Sequence, residues 1–283
     1  MARIIIDPLV TGQTIGAFID TVVAQGMALY RDFAWRRTSD PYAILVSEVM
    51  LQQTQTARVE RYFETWMERF PVLDALAAAS TADVLEAWQG LGYNRRALAL
   101  KHAADEVCEH HGGVLPANAQ ELQALPGIGA ATAAGVLAFA YDTFAVYLET
   151  NVRTVLLHEL YPEEDGVSDR ELNELLVRVN ERVAARGIGA RSWNYALLDY
   201  GAYLKKIYPN PSRRSKHHSQ QSPYEGSRRQ KRARLLGAVL ATPGQTTEDL
   251  AELFGYNEEL AESILVDLAQ EGFIVHRSGT WSV

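Results

Sequence analysis

Cysteine is almost absent from this sequence, and its scarcity excludes several kinds of site. Cys108 is the single cysteine among 283 residues. One thiol cannot form an internal disulfide bond, a zinc centre built on cysteine ligands or a four-cysteine iron–sulfur cluster. We therefore expect a chain that works in a reducing compartment, without a metal or another cofactor.

Long apolar segments are missing too. No stretch approaches the roughly 18 apolar residues of a membrane-spanning helix. The first residues, MARIIIDPLV, have no basic region ahead of their short apolar stretch, as a secretory signal would. Hydrophobic residues make up 47% and charged residues 22%, which is typical of a globular protein. We expect a cytoplasmic protein of one large or two to three smaller domains, with no membrane partner.

Basic charge is scarce outside one segment. The net charge is −8, yet residues 205–234 hold ten of the 27 lysines and arginines and one of the 35 acidic residues. Aromatic residues, prolines and the pair His217 and His218 are interleaved with the charges, which favours an ordered loop that follows a phosphate backbone. A solvated, disordered linker is the alternative. The phosphate-binding candidates in this segment are Arg213, Arg214 and Lys216.

Residues 122–141 contain a tight turn between two predicted helices. One helix ends near Leu125, Pro126-Gly127-Ile128-Gly129 forms the turn, and an alanine-rich helix begins near Ala130. Glycine permits the turn, and the first N–H groups of the second helix are suited to bind a phosphate without reading sequence. We assign phosphate contacts to Gly127, Gly129 and Ala130. An ordinary corner between two helices is the alternative.

Glu48 is the first candidate catalytic residue. Asp40-Pro41 opens a helix that we predict to continue to Phe70, with proline at a favourable first position. Apolar residues flank Glu48 in this helix. Desolvation raises the pKa of a carboxyl group, as a general acid at neutral pH requires. A solvated glutamate on the outer face of the helix is the alternative.

A second carboxylate follows the apolar strip at residues 144–148. Glu149 ends this strip, close in sequence to Asn151 and Arg153. We predict that Glu48 and Glu149 converge on one bound nucleotide.

Leu91 lies between two glycines in the loop from Gln89 to Arg96. An exposed apolar tip on such a loop can wedge between stacked bases. Inward packing of Leu91 is an equally open interpretation. Arg95, Arg96 and Lys101 are expected to follow a DNA backbone electrostatically.

Four motifs in this order resemble one family. They read SDPYAILVSEVMLQQTQT, GLGYNRRALAL, LPGIGAATAAG and LETNVR, and they span roughly residues 30–205. Together they are similar to the MutY-type adenine DNA glycosylases of the helix-hairpin-helix superfamily. The resemblance implies a two-lobed, all-α fold that binds DNA and flips the target base out of the helix.

The resemblance also implies roles for individual residues. Glu48 matches the general acid, Gln53 and Leu91 match side chains that enter the base stack, and Asn151 accompanies the second carboxylate. Catalytic residues are therefore predicted to be Glu48, Glu149 and Asn151. The predicted DNA contacts are Gln52, Gln53, Leu91, Tyr93, Asn94, Arg95, Gly127, Gly129, Ala130, Arg213, Arg214 and Lys216.

Several positions depart from the family pattern. Glu149 stands where the family has Asp, which moves the carboxylate by about 1.5 Å in a site where an error of about 1 Å is costly. Asn94 replaces a second tyrosine. Ala131 stands where related enzymes have Ser, Tyr or a lysine nucleophile, so Schiff-base lyase chemistry has no obvious nucleophile. These departures predict hydrolysis without lyase activity and leave the target base open.

The C-terminal part departs further. The iron–sulfur loop of the family is replaced by the basic segment, which we expect to take over its backbone contacts. We also expect no counterpart of the family's C-terminal lobe that reads 8-oxoguanine. Instead, residues 230–283 predict three helices and a hairpin that turns at Ser278-Gly279, a winged helix whose partner is DNA or a protein.

The sequence thus predicts an all-α, two-lobed helix-hairpin-helix DNA glycosylase fold with a C-terminal winged-helix domain. The predicted divisions are a glycosylase domain at 1–204, a basic loop at 205–229 and the winged helix at 230–283. We expect a monomeric, nucleoid-associated enzyme of base excision repair that acts on mismatched or damaged double-stranded DNA. Adenine in a mismatch is the first candidate substrate. The alternatives are another mismatched or damaged base, or a non-catalytic binder of distorted DNA.

Overall fold

The structure, a computed structural model, describes residues 15–216 and 223–283. These residues form fourteen α-helices and one two-stranded antiparallel sheet. None of the described helices has the length and apolarity needed to cross a bilayer.

The helices and strands are numbered here in chain order. They are α1 (Ile15–Ala28), α2 (Pro41–Leu51), α3 (Thr56–Arg69), α4 (Leu73–Ala78), α5 (Thr81–Trp88), α6 (Arg95–His110), α7 (Ala119–Ala124), α8 (Ala130–Tyr141), α9 (Thr150–Glu159), α10 (Asp169–Ala185), α11 (Ala190–Ile207), α12 (Arg228–Ala241), α13 (Thr247–Phe254), α14 (Glu258–Gln270), β1 (Val275–Arg277) and β2 (Thr280–Ser282). Short 3₁₀ turns lie at Ala34–Arg36 and Pro211–Arg214.

The described residues form two compact units. One contains those up to Glu48 together with residues 115–216, and the other contains residues 49–114 together with 223–283. The sequence predicts three domains that follow one another along the chain, whereas each of these units combines two separate stretches of it. The predicted division into domains therefore stays a prediction.

The core of the first unit is built around α11. This helix packs on α9 and α1, and Trp193 near its N-terminal end is fully buried and meets Phe18 edge to face. Two small residues allow the close packing. A Cβ at Gly26 would overlap Ala196, and a Cβ at Gly201 would overlap the backbone of Asn151. The packing of α11 therefore also positions the start of α9.

A buried ion cluster ties α11 to the segment between α1 and α2. The Asp199 carboxylate, whose side chain is 0% exposed, accepts hydrogen bonds from Nη1 and Nη2 of Arg36 at 2.7 and 2.9 Å. It also accepts one from Nε of Arg31 at 2.6 Å. The cluster leaves the buried carboxylate fully paired, as burial of a charge requires.

The core of the second unit contains the helices that follow α2. In it, α4 and α5 pack against α6, and the rings of Trp66 and Trp88 meet edge to face at 5.3 Å. The predicted continuous helix from residue 41 to residue 70 is wrong. The chain leaves the helix at Leu51, turns with a positive φ of 55° at Gln53, and re-enters helix at Thr56.

The C-terminal residues also belong to the second unit. Helices α12 and α13 pack on α14, and α12 also contacts α5. Strands β1 and β2 pair with Arg277 opposite Thr280. Ser278 and Gly279 have φ of 51° and 82°, which suits a tight hairpin turn and confirms the turn predicted there. Three helices and a hairpin are thus present, while the winged-helix assignment stays a prediction.

Candidate active site

Glu48 is carried on a helix whose other side chains are almost all buried. Proline at position 41 begins α2, and the Asp40 carboxylate accepts hydrogen bonds from the next two N–H groups, at 3.2 Å from Tyr42 and 3.3 Å from Ala43. Ile44, Leu45 and Val46 are at most 1% exposed. A helix that is apolar all round lies inside a protein. Glu48 is therefore carried into the interior and keeps only partial exposure.

Two residues from the first unit shape the surroundings of the Glu48 carboxyl group. Gly135 on α8 faces it so closely that a Cβ there would overlap Oε2. The Tyr147 hydroxyl donates a hydrogen bond to the same oxygen at 3.0 Å. Burial raises the pKa of Glu48 to about 8, and the Tyr147 hydrogen bond opposes this rise. The carboxyl group therefore carries a proton at neutral pH.

Glu149 has the same side chain in a different environment. It is the N-cap of α9, and its Oε1 accepts hydrogen bonds from the N–H groups of Asn151 at 2.6 Å and Val152 at 2.9 Å. Burial raises the pKa of Glu149, whereas these N–H groups and the Lys205 ammonium act to lower it. Donors aimed at a carboxylate stabilise its charged form.

The two glutamates are electrostatic neighbours in the first unit. The negative charge of Glu149 is one cause of the raised pKa of Glu48. A pair whose environments differ in this way can divide the roles of acid and anion. The structure thus brings together the two carboxyl groups that lie 101 residues apart in the sequence.

Polar atoms without partners lie beside these carboxyl groups. Nδ2 of Asn151 donates to Glu149 at 3.2 Å, but its buried Oδ1 has no hydrogen-bond partner among the described residues. The hydroxyl of Tyr195 is also buried without a partner in that part of the chain, and its ring stacks on Phe139. Buried polar atoms are nearly always paired, so both atoms are suited to meet a ligand or water.

Three site residues were not identified from the sequence. Tyr147, Tyr195 and Gly135 all lie near the carboxyl groups, yet from the sequence alone each resembles an ordinary core residue. The one available signal was a tyrosine two residues before Glu149, the one side chain with a polar group in the strip at residues 144–148.

The turn between α7 and α8 has the geometry that its glycines predict. Gly127 has a φ of 72°, while Leu125 and Ile128 are buried beneath it. Gly129 is the N-cap of α8 and offers no side-chain oxygen, and nothing lies where its Cβ would be. Gly129 and Ala130 are exposed. The N-terminal N–H groups of α8 therefore lie open to a phosphate.

The loop after α5 does not expose its apolar residue. Leu91 is 2% exposed, so the prediction of an exposed wedge is wrong and inward packing is what the structure has. Gly90 and Gly92 have φ of 91° and 73°, and the Leu91 N–H donates to the carbonyl of Trp88 at 3.1 Å. The turn thereby directs the leucine side chain into the core.

The polar residues of this loop and of the turn at Gln52 and Gln53 lie in the second unit. Tyr93 is 39% exposed, and Gln53 is exposed too. Asn94 is the N-cap of α6 without a capping side-chain hydrogen bond. All of them line one groove, together with Arg95.

Three of the cations expected to follow DNA have protein partners. The Arg96 guanidinium donates to the carbonyls of Val49 and Met50 at the end of α2, so its assignment to the DNA backbone is wrong. The Lys101 ammonium is occupied by the Ala77 carbonyl and Asp105. Arg95 is largely exposed but forms an ion pair with Glu271 at 2.7 Å.

The basic segment is only partly available to phosphate. Arg214 donates to four carbonyls, those of Leu157, Tyr161, Pro162 and Glu164, so its predicted role in DNA binding is wrong. These carbonyls at and beyond the end of α9 require a donor, and the guanidinium supplies it. Arg213 and Lys216 are exposed. His217 and His218 lie outside the described residues.

Comparison with known proteins identifies related sequences. Residues 46–182 match the family model described as HhH-GPD superfamily base excision DNA repair protein. The adenine DNA glycosylase of Mycobacterium tuberculosis H37Rv is 35% identical, with 94% of each chain aligned. The adenine DNA glycosylase of Homo sapiens is 42% identical over 135 residues, which cover 44% of this chain and 25% of the human protein.

Solved structures with similar folds include a DNA glycosylase and an endonuclease bound to DNA. A thermostable thymine-DNA glycosylase is 25% identical with a TM-score of 0.58, covering 68% of this chain and 88% of its own. A trapped endonuclease III–DNA covalent intermediate is 18% identical with a TM-score of 0.53, covering 76% and 91%. At that identity the second likeness concerns the fold alone.

Proposed function

Because this chain belongs to the HhH-GPD superfamily of base excision DNA repair proteins, we propose that it is a DNA glycosylase that hydrolyses the bond between adenine and deoxyribose in mismatched DNA. The observation that carries the proposal is the Glu48 carboxyl group, which accepts a hydrogen bond from Tyr147 and is an electrostatic neighbour of Glu149, in surroundings whose burial raises its pKa to about 8. The relatives named adenine DNA glycosylase support adenine as the base.

Glu48 is the general acid of the proposed reaction. The bond between C1′ of the sugar and the ring nitrogen of the base breaks, and its electron pair goes to the base. Glu48 supplies the proton that makes the base a neutral leaving group. A general acid works best when its pKa is near the operating pH, which a value of about 8 satisfies.

Glu149 stabilises the positive charge that develops on the sugar. Burial raises the pKa of Glu149, but two backbone N–H groups and the Lys205 ammonium face its carboxylate and favour the ionised form, whereas Glu48 accepts a hydrogen bond from the neutral Tyr147 hydroxyl. Water then adds to C1′ and gives up its proton to a carboxylate of the site, which leaves an abasic site and a free base. The unpaired Oδ1 of Asn151 is placed to accept a hydrogen bond from this water.

The proposed reaction is hydrolysis alone, carried out by a monomer without a cofactor. Ala131, at the position of the lysine nucleophile in related lyases, has no amine to form a Schiff base. The iron–sulfur cluster that the family resemblance implies does not fit this chain, since Cys108 is its one cysteine and a cluster requires several thiolates.

Replacement of Glu48 by glutamine tests the proposal. The amide of Glu48→Gln keeps the shape of the side chain but carries no acidic proton, so we expect base release from an adenine mismatch to fall at least ~100-fold in single-turnover assays. Duplex affinity should change less than threefold. The matched control is Glu60→Gln, which alters an exposed glutamate of α3. Undiminished base release by Glu48→Gln would contradict the assignment.

A second candidate is a glycosylase for a different base. Glu149 and Ala131 both alter positions that the family resemblance places beside the nucleotide. Wild-type protein assayed against uracil, thymine, hypoxanthine and oxidised guanine in each pairing would identify such a substrate. Adenine is rejected as the target if another base is released at least ~10-fold faster.

A further inference from the structure

We propose that the C-terminal segment completes a binding groove for an unpaired nucleotide, with Tyr224 and Arg229 as its new ligands. The groove lies within the second unit and has a volume of about 1380 Å³. Nothing in the catalytic site of the first unit contributes to it. The ligand class is a DNA nucleotide whose base is unstacked and whose phosphate meets a guanidinium. The proposal rests on DNA being the substrate of the proposed function.

The backbone of the groove is unusual. Among the described residues, four that are not glycine have a positive φ, and two of them, Gln53 and Tyr93, line this groove. The other two, Asp142 and Ser278, end a helix and form a hairpin turn. A positive φ disfavours a side chain such as glutamine or tyrosine, and such conformations concentrate at binding sites. The conformations of these two turns therefore fit a role in binding as well as in connecting helices.

Arg229 lies between two exposed aromatic rings. Its guanidinium carbon is 6.0 Å from the ring centre of Tyr93 and 5.9 Å from that of Tyr224, and its Nη1 donates to the Tyr93 hydroxyl at 3.0 Å. The two tyrosines are 39% and 53% exposed. A cation framed by exposed tyrosine faces is the arrangement that proteins use to hold single-stranded nucleic acid, with bases stacked on rings and phosphate on the cation.

The charge of the groove favours an anionic ligand. Five arginines and two carboxylates, Asp267 and Glu271, line it. Glu271 is shared by Arg95 and Arg232, and Asp267 pairs with Arg228, so the carboxylates hold the cations in place without neutralising all of them. A net positive, aromatic groove binds a phosphodiester more readily than a peptide of mixed charge.

Base extrusion creates the nucleotide that the groove would hold. A glycosylase that flips a base out of a duplex leaves the opposite base unpaired, and only an unpaired base can offer its face to a tyrosine ring. The paired bases of an intact duplex are covered by their neighbours. The groove should therefore favour a mismatch duplex over a fully paired one.

Equilibrium binding in a Glu48→Gln background tests this inference without turnover. The probe is a duplex of about 25 base pairs with one adenine–guanine mismatch, compared with its fully paired counterpart. We expect Tyr224→Ala and Arg229→Ala each to weaken mismatch binding about fivefold to tenfold and paired-duplex binding less than twofold. Arg229→Ala should also lower the salt slope by about one. Tyr224→Phe, which keeps the ring, should bind normally.

Two matched controls test whether the removal of any exposed tyrosine or any exposed arginine weakens mismatch binding equally. Tyr203→Ala removes another exposed tyrosine, from α11, and Arg277→Ala removes an exposed arginine from β1, both outside the groove. A second probe is a duplex that carries fluorescent 2-aminopurine opposite the target adenine. Its fluorescence should rise when it binds the Tyr224→Ala protein and stay quenched when it binds protein that retains Tyr224. Binding by Tyr224→Ala and Arg229→Ala equal to that of the controls would overturn the inference. Failure of base release by the wild-type enzyme would overturn only the proposed function.

Discussion

Glu48 and Glu149 show how one side chain acquires two chemical roles from its surroundings. Glu48 lies on a helix of buried, mostly apolar residues, and its carboxyl group accepts one hydrogen bond, from the neutral Tyr147 hydroxyl. Glu149 caps a helix, and its carboxylate accepts hydrogen bonds from two backbone N–H groups. Burial raises the pKa of both glutamates, but the N–H donors at Glu149 favour its charged form, so the surroundings favour the acid role for Glu48 and the anion role for Glu149.

The rate of base release should depend on pH through Glu48. The protonated carboxyl group is the active form, and its pKa of about 8 lies above the usual 4.5, so activity is present below about pH 8 and is lost as pH rises through that value. The Tyr147 hydrogen bond favours the ionised form. We therefore expect Tyr147→Phe to move the basic limb of the single-turnover profile to higher pH while the plateau rate falls about tenfold.

A purely structural role for Tyr147 predicts a different result. Loss of packing alone would lower the plateau and leave the position of the basic limb unchanged. Tyr62→Phe removes a partly exposed tyrosine hydroxyl from α3 in the other unit and serves as the control. If the basic limb of the pH profile of Tyr147→Phe lies at the same pH as that of the wild type, the hydroxyl does not affect the pKa of Glu48.

At the level of elements, local chemistry predicted several boundaries correctly. Pro41 begins α2, the turn at residues 126–129 separates α7 from α8, and the hairpin turns at Ser278-Gly279. These signals are confined to a few adjacent residues. The break after Leu51 was missed because its cause lies elsewhere in the chain, in the Arg96 guanidinium that satisfies the last carbonyls of α2.

The short segment from Arg213 to Lys216 carries three cations with two separable roles. We expect Arg213→Ala with Lys216→Ala to weaken binding to all duplexes alike and to lower the salt slope by about two, because both side chains are exposed. Arg214→Ala should instead lower the free energy of unfolding by about 2–4 kcal/mol, since carbonyls beside α9 lose their donor.

Salt-dependent binding and thermal denaturation distinguish these variants. Each one is the control for the other, because all three residues lie within four positions of the chain. An unchanged salt slope in Arg213→Ala with Lys216→Ala would remove the basic segment from the DNA interface. Normal stability of Arg214→Ala would contradict its structural assignment.

At the level of the whole molecule, one buried cluster secures the first unit. Asp199→Ala leaves the Arg36 guanidinium, 2% exposed, without its counter-ion. Loss of one partner from a buried ion pair costs about 3–5 kcal/mol. We expect a clearly lower urea midpoint, whereas Asp32→Ala, which breaks an exposed pair with Arg37, should leave the midpoint close to that of the wild type. Equal midpoints for the two variants would show that the cluster contributes little.

The sequence by itself determined several helix boundaries, the glycine turns and the identity of the two catalytic carboxyl candidates. These features depend on periodicity and turn chemistry within short stretches, and the motif order indicated the family. The scarcity of cysteine likewise needed no coordinates to exclude a four-cysteine cluster.

The tertiary structure alone decided which side chains are available. Tyr147 reaches Glu48 across 99 residues, Arg214 reaches the end of α9 across more than fifty, and Leu91 turns inward. A polar atom in a folded chain pairs with whatever donor or acceptor the packing brings near, and that neighbour is seldom close in sequence. Residue type therefore set what each side chain could do, and packing set what it does.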